Sequence, residues 1–175
     1  MPLIRPSQVE DVAAITRIYA HHVLHNTATF ETEAPDEAEM ARRRQDVLAK
    51  GHPWLVAEVG GKVLGYAYAS QFRPRQAFRY TVENSIYLAP EATRQGLGRA
   101  LLTELLALCE SNGMRKMVAV IGDSANAASI GLHAAMGFQS AGTIPACGWK
   151  FERWLDLIFM ERALGPGATT PPDHS

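Results

Sequence analysis

The sequence predicts an α/β (α+β) fold: an open mixed sheet with helices on both faces. Three observations lead there. Apolar runs at 54–59 and 62–70 flank Gly60-Gly61, a hairpin signal that argues antiparallel pairing. From residue 79 onward strand and helix patterns alternate, which argues parallel pairing in that half. Helical patterns stand both before the hairpin and after it.

The elements follow in order. Leu3–Arg5 reads as a short first strand. Ser7, with Glu10 three residues on, predicts a capping box for a helix carrying Val9, Val12, Ala13, Ile15 and Tyr19. The segment HNTATFETEAP at 25–35 is polar and turn-rich, in the manner of a binding loop. A second helix is expected from Asp36 to about Lys50; its Arg42, Arg43 and Arg44 are consecutive, so they make no single stripe and read as a solvated face. After the hairpin, QFRPRQAF breaks the pattern. Arg79–Leu88 reads as a long strand, Gly96–Ser111 as a helix, Met117–Ile121 as a buried strand, and Asn126–Met136 as a helix closed by Gly137. Phe138–Gly142 and Arg153–Met160 read as closing strands. The expectation is a single domain over 1–164 and a mobile tail over 165–175, whose GPGATTPPDHS has no apolar anchor.

The 175 residues suit one domain, and 47% hydrophobic content suffices for a core. A formal charge of -1 advertises neither nucleic acid nor an acidic membrane. Cys109 and Cys147 form no metal-ligand spacing, so no metal is expected, and Cys109 reads as a buried thiol. The first residues lack the pattern of a signal peptide, and no apolar stretch reaches the ~20 residues of a membrane span. A reducing cytoplasm fits these features.

The segment TRQGLGR at 93–99 lies between a strand pattern and a helix pattern. A helix N-terminus carries unpaired N–H groups and partial positive charge, and glycines let a phosphate approach the backbone. The spacing is neither that of a Walker loop nor that of a dinucleotide fingerprint.

Arg94-Gln95-Gly96-Leu97-Gly98-Arg99 resembles the acyl-CoA pyrophosphate loop of the GNAT N-acetyltransferases, with Thr93 standing where that loop usually has Gln or Arg. Asn126-Ala-Ala-Ser129 followed by LHAAMGF is similar to the same family's later helix. FRYTVENSIYLAP, MVAVIG, GLHAAMGF and CGWKFERWLDLIFM extend the likeness to the phosphinothricin and methionine sulfone/sulfoximine acetyltransferase branch, over nearly the whole chain to Leu164. The resemblance implies a central mixed, mostly antiparallel sheet flanked by helices, with acetyl-CoA as co-substrate. It implies cofactor contacts from Ile86, Tyr87, Leu88, Arg94, Gln95, Gly96, Leu97, Gly98, Arg99, Asn126 and Ser129.

Amide formation from a thioester needs a base for the ammonium, a donor for the developing oxyanion and a fate for the thiolate. Glu83, in the largely apolar YTVENSIY, is the candidate base; Thr81 and Ser85 share its side, Val82 and Asn84 face the other. The alternative is a structural glutamate paired with Arg73 or Arg75. His133 stands where many GNAT enzymes place a thiolate-protonating tyrosine; it either serves as that acid or packs within its helix. Tyr87 is a further candidate donor.

Arg73 and Arg75 bracket Pro74 and suit a substrate carboxylate. Phe30, between polar neighbours, suits an aliphatic or S-methyl group or anchors its loop. The resemblance adds Glu83, Asn84, Lys150 and Trp154 to the acceptor pocket and implies a homodimer. The expected function is N-acetylation of a free amino-acid analogue, methionine sulfone or sulfoximine first and phosphinothricin second; the rival class is a non-catalytic acyl-CoA-binding module.

Overall fold

The protein is described here by a computed structural model over residues 2–92 and 94–172. Its strands are β1 (Leu3–Pro6), β2 (Trp54–Val59), β3 (Lys62–Gln71), β4 (Thr81–Leu88), β5 (Lys116–Gly122), β6 (Gln139–Lys150) and β7 (Arg153–Ala163). Its helices are α1 (Val12–His25), α2 (Glu37–Ala49), α3 (Leu97–Ser111) and α4 (Ala127–Ala135). The strands form one sheet in the order β1-β2-β3-β4-β5-β7-β6. Every neighbouring pair is antiparallel except β4 with β5. The sheet is thus mixed and mostly antiparallel, as the resemblance implies. Strand–helix alternation overstates the parallel share, because β7 returns as a hairpin partner of β6 and meets β5 antiparallel.

Helices cover both faces. Tyr19 of α1 packs edge-on to Tyr87 of β4, with ring centroids 5.0 Å apart. Along β4 the alternate residues face the other way: a Cβ on Gly65 would meet both Leu88 and Leu101, so α3 lies on that side. On α3, Leu97, Leu101, Leu102, Leu105, Leu106 and Cys109 are buried, which is the stripe of a helix with one face in the core. Burial pushes the Cys109 thiol up to about 12, as suits an inert core thiol.

Three expectations shift. A 3₁₀ turn, Val9–Asp11, leads into α1 and starts at Gln8, whose N–H donates to Asp11 at 2.7 Å; Ser7 instead accepts from Arg44 at 2.7 Å. The arginine run is not one solvated face. Arg42 pairs with Glu39 and Asp46 on the exposed side, Arg43 reaches Glu31, and Arg44 reaches Ser7. The closing strands are longer than predicted, because Pro145 and Gly148 lie inside β6, an edge strand whose register shifts between Ile144 and Gly148.

Leu164 is fully buried, and Arg115 donates beyond it to the carbonyls of Gly167 and Pro171 at 3.2 and 2.9 Å. Residues 173–175 of the expected tail, like Thr93, lie outside the described residues. No helix among the described residues is long and apolar enough to cross a membrane.

Candidate functional site

Strands β4 and β5 pair only from Thr81–Asn84 against Lys116–Ala119, then part. Beyond that point β4 stays bonded to β3 and β5 to β7, so the facing edges have no strand partner. The gap is a cavity of about 260 Å³. Ser85, Ile86, Tyr87 and Leu88 form one wall and Val120, Ile121 and Gly122 the other; Asn126, Ser129, Leu132 and His133 contribute from the α4 side. Backbone N–H and C=O groups along a parted strand edge are donors and acceptors awaiting a partner.

The mouth of this cleft adjoins the start of α3. Gly96 adopts φ 77°, a left-handed turn that glycine makes without strain, and no side chain among the described residues caps the helix. The first intrahelical bond is Ala100 N–H to Gly96 O at 3.1 Å, and the N–H groups of Leu97, Gly98 and Arg99 have no backbone partner among the described residues. By contrast α2 and α4 carry Asp36 and Asn126 caps. Arg94 and Arg99 are exposed beside the bare end, and Gln95 donates to Glu91 O at 3.1 Å. Gly98 lines the cleft, where an added Cβ would stand 3.2 Å from Leu132 and 3.7 Å from Leu88.

On the α4 side His133 is 3% exposed. Its Nδ1 meets the Ser129 carbonyl at 2.8 Å, and Nε2 meets the Asn84 amide at 3.2 Å. A carbonyl only accepts, so Nδ1 carries the proton. Burial lowers the ring's pKa and keeps it neutral, so Nε2 has no proton to give. An unprotonated Nε2 accepts, so the Asn84 amide turns its Nδ2–H toward the ring and its carbonyl oxygen is buried at the cleft without a protein partner among the described residues. These features fit an acyl-CoA: bare helix N–H groups for a pyrophosphate, a glycine wall, parted strand edges and an orphaned amide for a pantetheine arm.

Glu83 lies on the opposite face of β4 from Asn84 and His133, so the two predicted catalytic residues do not share a side. Its carboxylate has no hydrogen-bond partner among the described residues. Burial raises its pKa, and the charge of Arg73 offsets part of that rise. Arg73 donates to Phe72 O at 2.8 Å and stacks over the Phe72 ring, while Gln71 ties the loop by bonding to Arg73 O and Arg75 O at 2.7 and 3.2 Å. Both arginines are exposed at the Glu83 end of β4. Tyr87 is half-buried, and burial of its phenol raises its pKa well above the usual value.

The loop after α1 covers this region. Tyr19 O–H donates to Glu31 while its oxygen accepts from Thr29 Oγ1 at 2.8 Å, and Arg43 clamps Glu31 with bonds of 2.9 and 2.7 Å. Phe30 is 37% exposed and rests between Gly122 and Gly148. Lys150, assigned to the acceptor, is 3% exposed and donates to Asn26 O and Thr29 O, both at 2.8 Å. Its ammonium is therefore a strut beneath the loop. Trp154 is 61% exposed and stacks edge-on with Trp149, outside the cleft lining.

Sequence reasoning missed four residues here. His22 donates to Leu88 O and accepts from Asn26, both at 2.8 Å, joining α1 to the end of β4. Thr27 bonds Asp123, which adopts φ 74° in the turn between β5 and α4. Only Asp123 had a local signal, the GDSAN turn before the Asn126 cap.

The model of the Acetyltransferase (GNAT) family matches residues 13–138. A phosphinothricin N-acetyltransferase of Alcaligenes faecalis is 52% identical over 170 residues, 97% of this chain and 86% of that protein. An L-methionine sulfoximine/L-methionine sulfone acetyltransferase of Pseudomonas aeruginosa is 41% identical over 170 residues, 96% of this chain and 98% of that one. Among solved structures, a GNAT superfamily phosphinothricin acetyltransferase from Sinorhizobium meliloti in complex with AcCoA superposes with a TM-score of 0.97 at 47% identity, covering 99% of this chain and 94% of that one.

Proposed function

The chain belongs to the GNAT acetyltransferase family, and from that premise we propose that it acetylates the α-amino group of free amino-acid analogues. The acceptors are those whose side chain ends in a tetrahedral, oxygen-bearing sulfur or phosphorus. L-Methionine sulfone and L-methionine sulfoximine stand first. Phosphinothricin is the second reading, favoured by the 52% identity to the Alcaligenes faecalis enzyme.

The observation that carries this reading is Glu83, a half-buried carboxylate on β4 beside the parted strands, without a hydrogen-bond partner among the described residues. A module that only bound acyl-CoA would have no use for a base there. Acetyl-CoA, when bound, supplies the activated acyl carbonyl. The bare N-terminus of α3 holds its pyrophosphate, with Arg94 and Arg99 alongside. Asn84, Asn126 and the open edge of β4 serve the pantetheine arm. Glu83 would take one proton from the acceptor ammonium, directly or through a water, so that the nitrogen lone pair forms the new C–N bond as the C–S bond breaks; the second proton shed by the nitrogen neutralises the departing thiolate, and CoA leaves as the thiol. The free N–H groups of the β4 edge are placed to receive the oxyanion. Arg73 and Arg75 take the acceptor carboxylate, and Phe30 covers its aliphatic part. His133, neutral with its proton held by Ser129 O, orients Asn84 rather than protonating the thiolate.

Two unpaired thiols, Cys109 buried and Cys147 exposed, fit a reducing cytoplasm. Ile144, Trp149, Phe151 and Trp154 are exposed along the β6–β7 hairpin, which supports a homodimer closing over that edge.

A thiol-release assay with acetyl-CoA tests the function against free amino acids and their sulfone, sulfoximine and phosphinic analogues. Turnover confined to the oxygenated analogues is expected; release with none of the panel contradicts the reading.

A further inference from the structure

Asp123 is strained, buried and connected beyond what its turn requires. Its φ of 74° lies in the region that glycine or asparagine adopts more readily. A residue persists there when its surroundings over-determine it. Asp123 is 6% exposed. Its carboxylate accepts from three elements: Thr27 Oγ1 of the loop after α1 at 3.0 Å, Ala125 N–H at the entry to α4 at 3.0 Å, and Arg153 Nη2 at the start of β7 at 2.6 Å. Its own N–H donates to Asp156 O at 2.9 Å, and its carbonyl accepts from Asn126 N–H at 3.0 Å.

The elements so joined belong to different halves of the site. Asn126 walls the acyl-CoA cleft, while Thr27 and Phe30 belong to the loop over the acceptor side. Between them lies a second cavity of about 290 Å³, lined by Asn26, Thr27, Asp123 and Asn126 among others, and sharing His22, Ala28 and Asn126 with the first. Gly122, just before Asp123, lets the loop settle: a Cβ there would lie 2.5 Å from Thr27 O and 3.0 Å from Phe30. A glycine at 123 would make the turn without strain. Only a side chain with acceptors makes the tie to Thr27.

We propose that Asp123 is a positioning residue that holds the acceptor loop, through Thr27, against the turn that walls the acyl-CoA cleft. The proposal rests on the acetyltransferase reading above. Acceptor recognition then depends on Asp123 although the residue touches neither substrate in the assigned roles. Arg153 neutralises the carboxylate and ties the β6–β7 hairpin, and hence Lys150 beneath the loop, into the same unit.

Asp123→Gly relieves the backbone and removes the tie; Asp123→Asn keeps the size, the turn and the acceptor for Ala125 N–H, but puts an NH2 in place of the Oδ2 that accepts from Thr27 and Arg153. For both, acceptor KM is expected to rise about tenfold or more, the scale of one charge-assisted bond. The Kd for acetyl-CoA should stay within about twofold. Thr27→Val should raise KM as well, and adding it to Asp123→Gly should raise KM no further. Amide hydrogen exchange over 26–31 should quicken in Asp123→Gly. Unchanged acceptor KM, or a parallel loss of acetyl-CoA affinity, with loop exchange as in the wild type, overturns the proposal. If Asp123→Gly fails to fold, Asp123→Asn decides on the same readings. A wild type inert toward every acceptor contradicts the function instead, and the exchange comparison still decides the positioning role.

Discussion

Gly148 of β6 and the ring of Phe30 occupy one another's space: a Cβ on Gly148 would overlap ring carbons Cε1 and Cδ1. Gly122 of β5 approaches the same ring from its own strand, so Phe30 rests in a slot floored by two glycines. The loop that carries the candidate acceptor contact is therefore seated on the sheet. Gly148→Ala fits the strand backbone but evicts the ring. It should cost about 1–3 kcal/mol of stability, the usual range for overpacking, and raise acceptor KM. Acetyl-CoA affinity should hold. Thermal denaturation and the separate constants check this; an unchanged KM would remove Phe30 from the acceptor pocket.

Gly98→Val places a branched side chain between Leu88 and Leu132, in the wall of the cleft. The Kd for acetyl-CoA should rise at least about tenfold, much more than any change in melting temperature explains, because the bare start of α3 can no longer be approached. Calorimetric titration measures it. Normal affinity in a folded variant would move the pyrophosphate elsewhere.

Arg73→Ala and Arg75→Ala should each raise acceptor KM and leave acetyl-CoA affinity nearly intact. Esterifying the acceptor carboxylate should do the same, and the two losses should not add in full, since both remove one interaction. Full additivity would point to another carboxylate partner.

His133 is buried and His22 half-buried, and desolvation sets the pKa of each below the ordinary one. The unfolded chain then binds more protons than the folded one as pH falls through the usual histidine range near ~6.5, so stability should drop there. His133→Gln should flatten part of that drop. If His133 only orients Asn84, the variant should keep the basic limb of its turnover profile while binding acetyl-CoA less tightly. Loss of that limb would restore the thiolate-acid role.

Much of this was legible because it is local. The glycines and arginines before α3, the Asn126 cap and the alternation along β4 each speak within a few residues. Alternation alone already set Glu83 and Asn84 on opposite sides. What put His133 against Asn84 was the packing of α4 on the sheet, which no spacing reveals. The place of Lys150 is hidden in the sequence for the same reason. An aromatic, charged stretch suggests a binding surface, yet its ammonium meets two loop carbonyls more than a hundred residues away in sequence. Pro145 and Gly148 look like loop residues, and an edge strand tolerates both. The strain at Asp123 and the slot for Phe30 depend on contacts between distant segments.

The central claim is that Glu83 is the base, and single-turnover rates across pH for Glu83→Gln test it most directly. The variant keeps shape and removes basicity. The folded-state pKa of Glu83 is raised by burial, so above it the native carboxylate is an unfavourable charge. Glu83→Gln should therefore be at least as stable as the wild type at neutral pH and less so relative to it as acid protonates the native group. Turnover should fall by roughly 10²–10⁴-fold, with the acidic limb of the profile lost and acetyl-CoA affinity unchanged. A folded variant with near-normal turnover and an intact acidic limb would contradict the account.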